Sequence, residues 1–236
     1  MPQRRYVRLM LRHRMLLFLI VTGLLLVLFP FTQDQKLVPT VAMEILYNFF
    51  IISAIYLISV KKQIVAVAVF ISFMAITFFW FDQFLFSKYL ILSGLFMEIC
   101  LFCLTIVLII RHVLRFKKIS DDKIYGAISA YFLIGITWAL VYTFIEIYDP
   151  HSFQFGSGFL IQSETTATHR FYFSQFLYHS FVTISTLGYG DIIPLSPASR
   201  LASSLEAVVG QLYVAVLIAR LVGIHISHTT QKYSRR

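Results

Sequence analysis

Charged residues are scarce in this chain. Asp, Glu, Lys and Arg make up 13% of the 236 residues, about half the share usual in a soluble domain, while hydrophobic residues reach 58%. That composition leaves too little polar surface for a water-soluble fold, so the soluble classes are excluded. Cysteine is limited to Cys100 and Cys103. Two thiols inside an apolar run supply neither a disulfide framework nor the electropositive surroundings of a redox pair, so they read as small helix residues. Metal-ligand clusters, nucleophile–base pairs and phosphate-cradling loops are missing, which argues against an enzyme and implies no cofactor. Internal repeats and GxxxG are absent too. Acidic residues number 11 against 20 Lys and Arg, for a net charge of +9. Such a balance can signal nucleic acid. Here, however, the cations sit in short loops between apolar runs, a pattern of membrane topology that excludes nucleic acid as a partner.

What is present is a series of apolar runs of bilayer-crossing length, about 20 residues each. The first, 15–29, follows a tail with five arginines and ends at Pro30 without a small-residue cleavage site, so it is expected to remain as a helix. Further spans are expected at 41–60, 63–81, 89–110, 124–148 and 200–224, giving an all-α membrane protein with six transmembrane helices. With the first tail in the cytoplasm, sixteen Lys and Arg fall inside, and only Lys36, Lys88, Arg170 and Arg200 fall outside. The positive-inside rule then puts both termini in the cytoplasm and the protein in the cell's inner membrane.

The pattern divides the chain into a basic tail (1–14), a four-helix transmembrane domain (15–110), a cytoplasmic linker (111–123), a pore domain (124–224) and a second tail (225–236). No basic residue lies between Lys88 and Arg111. A helix without an array of basic residues lacks the gating charges that a voltage sensor moves through the membrane field, so steep voltage gating is not expected. Glu44 and Glu98 fall within apolar runs, where a carboxylate is either a functional site or a hydrogen-bonded structural acid. In the linker, Arg111, Arg115, Lys117 and Lys118 alternate with apolar residues and could hold anionic lipid, or simply follow ordinary loop chemistry.

The most informative stretch is 183–191: Thr183, Ile184, Ser185, Thr186, Leu187, Gly188, Tyr189, Gly190 and Asp191. Gly188 and Gly190 permit positive φ, where a side chain would clash. The stretch resembles the selectivity filter of potassium channels. The run from Ile124 onward resembles the two-helix pore module of bacterial members: outer helix, short pore helix, filter and inner helix. The resemblance implies a tetramer in which the carbonyls of Thr186, Leu187, Gly188 and Tyr189, with the Thr186 hydroxyl, bind dehydrated potassium.

Other site residues follow from the same resemblance. A pore helix is expected over roughly 175–185, capped by Ser174, behind a polar extracellular loop at 149–170. Tyr178, His179, Thr183, Ser185 and Glu206 would support the filter. His179 stands where the family often has a tryptophan bonded to the filter aspartate; a His179–Asp191 contact would tie the filter to external pH, with a neutral spacer as the plainer reading. Gly210 falls at the family's hinge glycine, with close helix packing as the plainer reason for a small residue. Gln211, Val214, Ala215, Ile218 and Val222 would line the cavity and gate, and Arg220 would snorkel to the cytoplasmic interface.

The function so implied is passive potassium conduction by a homotetramer. The alternatives are a less selective cation channel, a potassium-uptake subunit, or a non-conducting regulatory subunit that keeps the fold.

Overall fold

The computed structural model describes residues 14–28, 62–85, 87–114, 121–156 and 168–234. The expected span at 41–60, Glu44, Arg115, Lys117 and Lys118 lie outside them. Six helices and two short strands follow in order: α1 (Arg14–Leu28), α2 (Lys62–Leu85), α3 (Lys88–Leu114), α4 (Asp121–Tyr148), β1 (Phe153–Phe155), α5 (Thr168–Ile184), β2 (Ile192–Pro194) and α6 (Pro197–Ser234). Among the described residues three helices are long and apolar enough to cross a membrane: α3, α4 and the Pro197–Arg220 part of α6. Met15–Leu24 of α1 and Lys62–Phe78 of α2 are apolar but shorter.

Helix α4 is the hub, because it is apolar on nearly every side. It touches α1, α3, α5 and α6, while α2 packs on α3. Its small residues, Gly126, Ala127, Ala130, Gly135 and Ala139, are buried and let neighbours come close. A Cβ at Gly135 would stand 3.0 Å from the Phe181 ring on α5, so that glycine is what admits the ring. Phe18, Leu95, Leu101, Phe102, Ile109, Leu133, Ile136 and Tyr142 join one continuous core. At the start of α4, Asp121 and Asp122 place negative charge in the first turn. Asp122 also accepts the Met15 amide at 3.0 Å, so one carboxylate serves the N-termini of two helices.

Several boundaries differ from the sequence expectation. The helix before the 186–191 segment starts at Thr168, so Ser174 lies inside α5 and is not its N-cap. No Gly or Pro interrupts 168–184, which leaves nothing to stop the earlier start. The linker loses both ends to helix: Arg111 belongs to α3, and Lys123 to α4. Residues 225–234, expected as a tail, continue α6. Residues 224–234 carry neither Gly nor Pro, so intrahelical hydrogen bonding continues past the apolar part.

The described part of the loop after α4, residues 149–156, is also less bland than its composition suggests. Phe153 is buried, and β1 pairs antiparallel with β2 in the register Phe153–Pro194, Gln154–Ile193 and Phe155–Ile192. Glu146, buried at the end of α4, accepts the amides of His151 and Phe153, each at 3.0 Å, and fixes the turn between them. Ser196 then caps α6 by accepting the Ser199 amide at 3.2 Å, with Pro197 in the first-turn position that needs no donor.

Candidate functional site

The site is built where α5 ends. Val182 accepts the amides of Leu187 at 2.9 Å and Gly188 at 3.2 Å, and Thr183 accepts that of Thr186 at 3.0 Å. These bonds turn the chain sharply out of the helix. From there the backbone alternates: Thr186 has φ +62°, Gly188 +62° and Gly190 +76°, while Leu187 and Tyr189 keep ordinary values. Gly188 and Gly190 take positive φ freely, as their identity suggested. Thr186 is different, because a β-branched residue at positive φ is strained by about 1–3 kcal/mol, and such strain persists only where the surroundings impose it.

Residues 185–190 are all exposed in the single chain. Leu187 and Tyr189 are 55% and 65% exposed, so among the described residues they find little to pack against. The Thr186 hydroxyl donates to the Ser185 carbonyl at 2.6 Å, and that of Ser185 to Phe181 at 2.6 Å.

Asp191 closes the segment. Its carbonyl accepts the Gly156 amide at 2.8 Å beside the β1–β2 pair, and Oδ1 accepts the Ile192 amide at 3.1 Å. Oδ2 accepts the Tyr178 hydroxyl at 2.6 Å. Tyr178, not His179, thus makes the side-chain bond to Asp191, which corrects the contact expected from sequence. The bond to the carboxylate pushes the Tyr178 phenol up to about 12. On a helix, neighbouring residues point about 100° apart, so only one of the two can face Asp191. His179 turns the other way, into a cage with Tyr142 at 5.2 Å and Phe153 at 5.8 Å between ring centroids, and Phe176 packs on both of those rings. It is buried, and among the described residues its Nε2 has no hydrogen-bond partner. Burial pulls its pKa down to about 4 against the opposing pull of Asp191.

Behind the segment, three helices meet at Glu206, which is fully buried on α6. Its Oε2 accepts the Tyr142 hydroxyl from α4, and its Oε1 lies 2.5 Å from the Ser180 hydroxyl of α5. Ser180 also lies 2.7 Å from the Gly135 carbonyl. Tyr131 of α4 donates to the Ile184 carbonyl at 3.2 Å, which holds the end of α5 a second time. Sequence reasoning singled out Glu206 but missed Tyr142, Ser180 and Tyr131. The available signal was that a carboxyl in an apolar helix needs donors, and that hydroxyls on neighbouring apolar runs are the groups able to supply them.

Further along α6, Gly210 is packed against Ile184, so closely that a Cβ there would stand 2.9 Å from the Ile184 carbonyl oxygen. Closeness thus accounts for this glycine, and α6 runs as one element from Pro197 to Ser234. Gln211, Val214, Ala215 and Ile218, spaced to share one helix face, are all exposed. Tyr213 points back and donates to Ala127 of α4 at 2.6 Å. Val222 lies on the same helix. Arg220 does more than snorkel: its Nη2 donates to the carbonyl of Leu114, the last residue of α3.

Residues 130–225, which include α5, the 186–191 segment and most of α4 and α6, match the family described as an ion channel. Among curated proteins no match is found. The match covers less than half of the chain, and it covers the part that holds the strained segment. An ion-channel module in a membrane-embedded helical chain is therefore the level at which sequence, geometry and comparison agree.

Proposed function

We propose that four copies of this chain form a potassium-selective channel, with the carbonyls of Thr186, Leu187, Gly188 and Tyr189 as the ion ligands. The observation that carries this reading is the alternation of positive φ at Thr186, Gly188 and Gly190 within an exposed stretch. Residues with dihedrals of alternating hand turn successive peptide units so that their carbonyls can line one side. A row of carbonyls without donors is costly at membrane depth unless it borders a water-filled path or binds cations. One chain supplies one wall, and a tube that replaces an ion's hydration shell needs several, four in the resembling channels. The exposed face of Gln211, Val214, Ala215 and Ile218 would line the cavity below.

The rest of the reading follows the sequence. Six membrane helices with both termini in the cytoplasm agree with the distribution of cations, and the lack of any Lys or Arg between Lys88 and Arg111 in α3 argues against steep voltage gating. Arg111, exposed at the end of α3, is the described member of the basic group proposed to meet anionic lipid.

The test is reconstitution of the purified full chain in liposomes. A flux of potassium well above that of sodium, blocked by barium, is expected. Equal fluxes of the two ions would point to a less selective cation channel, and no flux in any lipid would point to a non-conducting subunit.

A further inference from the structure

The contacts around Glu206 do not balance unless one more proton is present than the hydroxyls supply. Three oxygen pairs stand at hydrogen-bonding distance: Tyr142 with Glu206 Oε2, Ser180 with Glu206 Oε1, and Ser180 with the Gly135 carbonyl. Each pair needs a hydrogen between its oxygens, since two facing lone pairs repel. Tyr142 brings one hydrogen and Ser180 brings one. Gly135 contributes an acceptor only. Ser203, whose hydroxyl stands near Tyr142 but has no hydrogen-bond partner among the described residues, adds no further oxygen pair and leaves the count unchanged. The third hydrogen has one place to reside, the carboxyl of Glu206. With it there, Tyr142 donates to Oε2, the Oε1 hydroxyl donates to Ser180, and Ser180 donates to Gly135, so every group is satisfied in a continuous chain.

We infer that Glu206 is held as the neutral acid, and that its proton fastens the pore helix α5 between the outer helix α4 and the inner helix α6. Glu206 thereby acts as a positioning residue for the 186–191 segment. Charge at this position would be poorly supported. Among the described residues no Lys or Arg pairs with Glu206. The ionisable groups that face it are Tyr142 and Tyr131 from α4, while His179 is next to Ser180 on α5 and Tyr213, two turns along α6, is bonded to Ala127. Glu146 lies one turn beyond Tyr142, Asp191 lies across α5 on Tyr178, and Arg200 is exposed and bonded to the Pro194 carbonyl. Loss of the proton would leave Ser180 one hydrogen for two acceptors, so it would give up either Glu206 or Gly135, and would leave a buried charge without a cationic partner among the described residues. Because Ser180 lies one turn before Ile184, the end of α5 would then be held less firmly, with the Tyr131 bond remaining.

The effect on conduction rests on the channel reading, whereas the proton itself does not, so the two can be tested apart. Glu206→Gln keeps the neutral pattern: its amide NH₂ donates to Ser180 and its oxygen accepts from Tyr142. In infrared spectra of the full chain in lipid at neutral pH, wild type minus Glu206→Gln should show the carbonyl stretch of a protonated carboxyl. In potassium-loaded liposomes, wild-type flux should fall by about tenfold or more per pH unit once the proton is lost, following the protonated fraction. Glu206→Gln should conduct at neutral pH and stay flat through the same alkaline range. Glu206→Ala should melt earlier than either. Absence of the carboxyl band, a Gln variant as unstable as the Ala variant, or wild-type flux as flat as that of Glu206→Gln would each overturn the inference. If wild type conducts nothing at any pH, the channel reading fails, while the infrared band and the melting order still decide where the proton is.

Discussion

Gly210 of α6 and Ile184 at the end of α5 are in backbone contact: a Cβ on Gly210 would stand 2.5 Å from Ile184 Cγ1 and 2.9 Å from its carbonyl oxygen. The carbonyl cannot rotate away as a side chain could, because Tyr131 also holds it. Helix α6 therefore bears on the end of α5, two residues before the strained Thr186. Whatever moves the inner helix at this level also moves the base of the carbonyl segment.

Gly210→Ala separates a contact from a hinge. Alanine restores up to about 1 kcal/mol of helix propensity, whereas forcing a methyl into a filled space costs about 1–3 kcal/mol. A hinge glycine lets the first term dominate, so the variant would be more stable and slower to open. The contact predicts the opposite sign: a lower melting temperature in detergent and altered potassium-over-sodium selectivity, because α5 is pushed. Thermal melting read together with ion selectivity distinguishes the two.

Tyr178→Phe should affect the segment and spare the fold. The phenol is 38% exposed and contributes one bond, to Asp191 Oδ2. Its removal leaves Asp191 held by backbone amides only. The melting temperature is expected to stay near that of wild type, while potassium currents in sustained recordings decay several-fold faster. The Tyr178 hydroxyl keeps its proton up to about pH 12, so the wild-type bond should be insensitive to external alkali. A decay rate unchanged by the substitution would show that the bond is dispensable.

The difference between Tyr178 and His179 shows where sequence reading stops. The TLGYGD stretch was legible because its chemistry is local: two glycines with positive φ can be read from their identity alone. The apolar helices were legible for a similar reason, since their length is set by the membrane. Which of two adjacent aromatic residues faces Asp191 depends on the rotation of α5 about its axis. That rotation is fixed by distant partners: Phe181 in the gap above Gly135, Ser180 at Glu206 and Phe153 over Phe176. A periodicity carries no information about it. The buried strand at Phe153 was hidden for the same reason, in a loop whose surroundings are polar.

His179 should make the protein sensitive to acid through stability. Its folded pKa, about 4, lies below the ordinary 6.5, so between those values the unfolded chain binds the proton more readily. Stability is therefore full above pH 6.5 and is lost as pH falls toward 4, by as much as about 3 kcal/mol per subunit, since each unit is worth about 1.4 kcal/mol. His179→Phe keeps a ring in the cage and removes the unpartnered Nε2. The variant should melt at or above the wild-type temperature at pH 7, and lose less of that temperature between pH 6.5 and 4.5. Parallel melting curves over that range would assign the acid sensitivity to another group.

Arg220 ties α6 to the end of α3. Its guanidinium caps the C-terminus of α3 at Leu114 and also faces Lys123 at the start of α4, so two helix ends meet at one cation within α6. A cation at a helix C-terminus is worth about 0.3–1 kcal/mol, enough to shift an opening equilibrium about two- to fivefold. Arg220→Gln keeps a donor and drops the charge, while Arg220→Ala drops both. Open probability in single-channel recordings should change in the order wild type, Gln, Ala, with potassium-over-sodium selectivity unaltered, because the contact lies far along α6 from Gly210. An identical open probability in all three proteins would mean that α3 does not act on the inner helix through this residue. A change in selectivity would mean instead that the disturbance travels up α6 to the contact between Gly210 and Ile184.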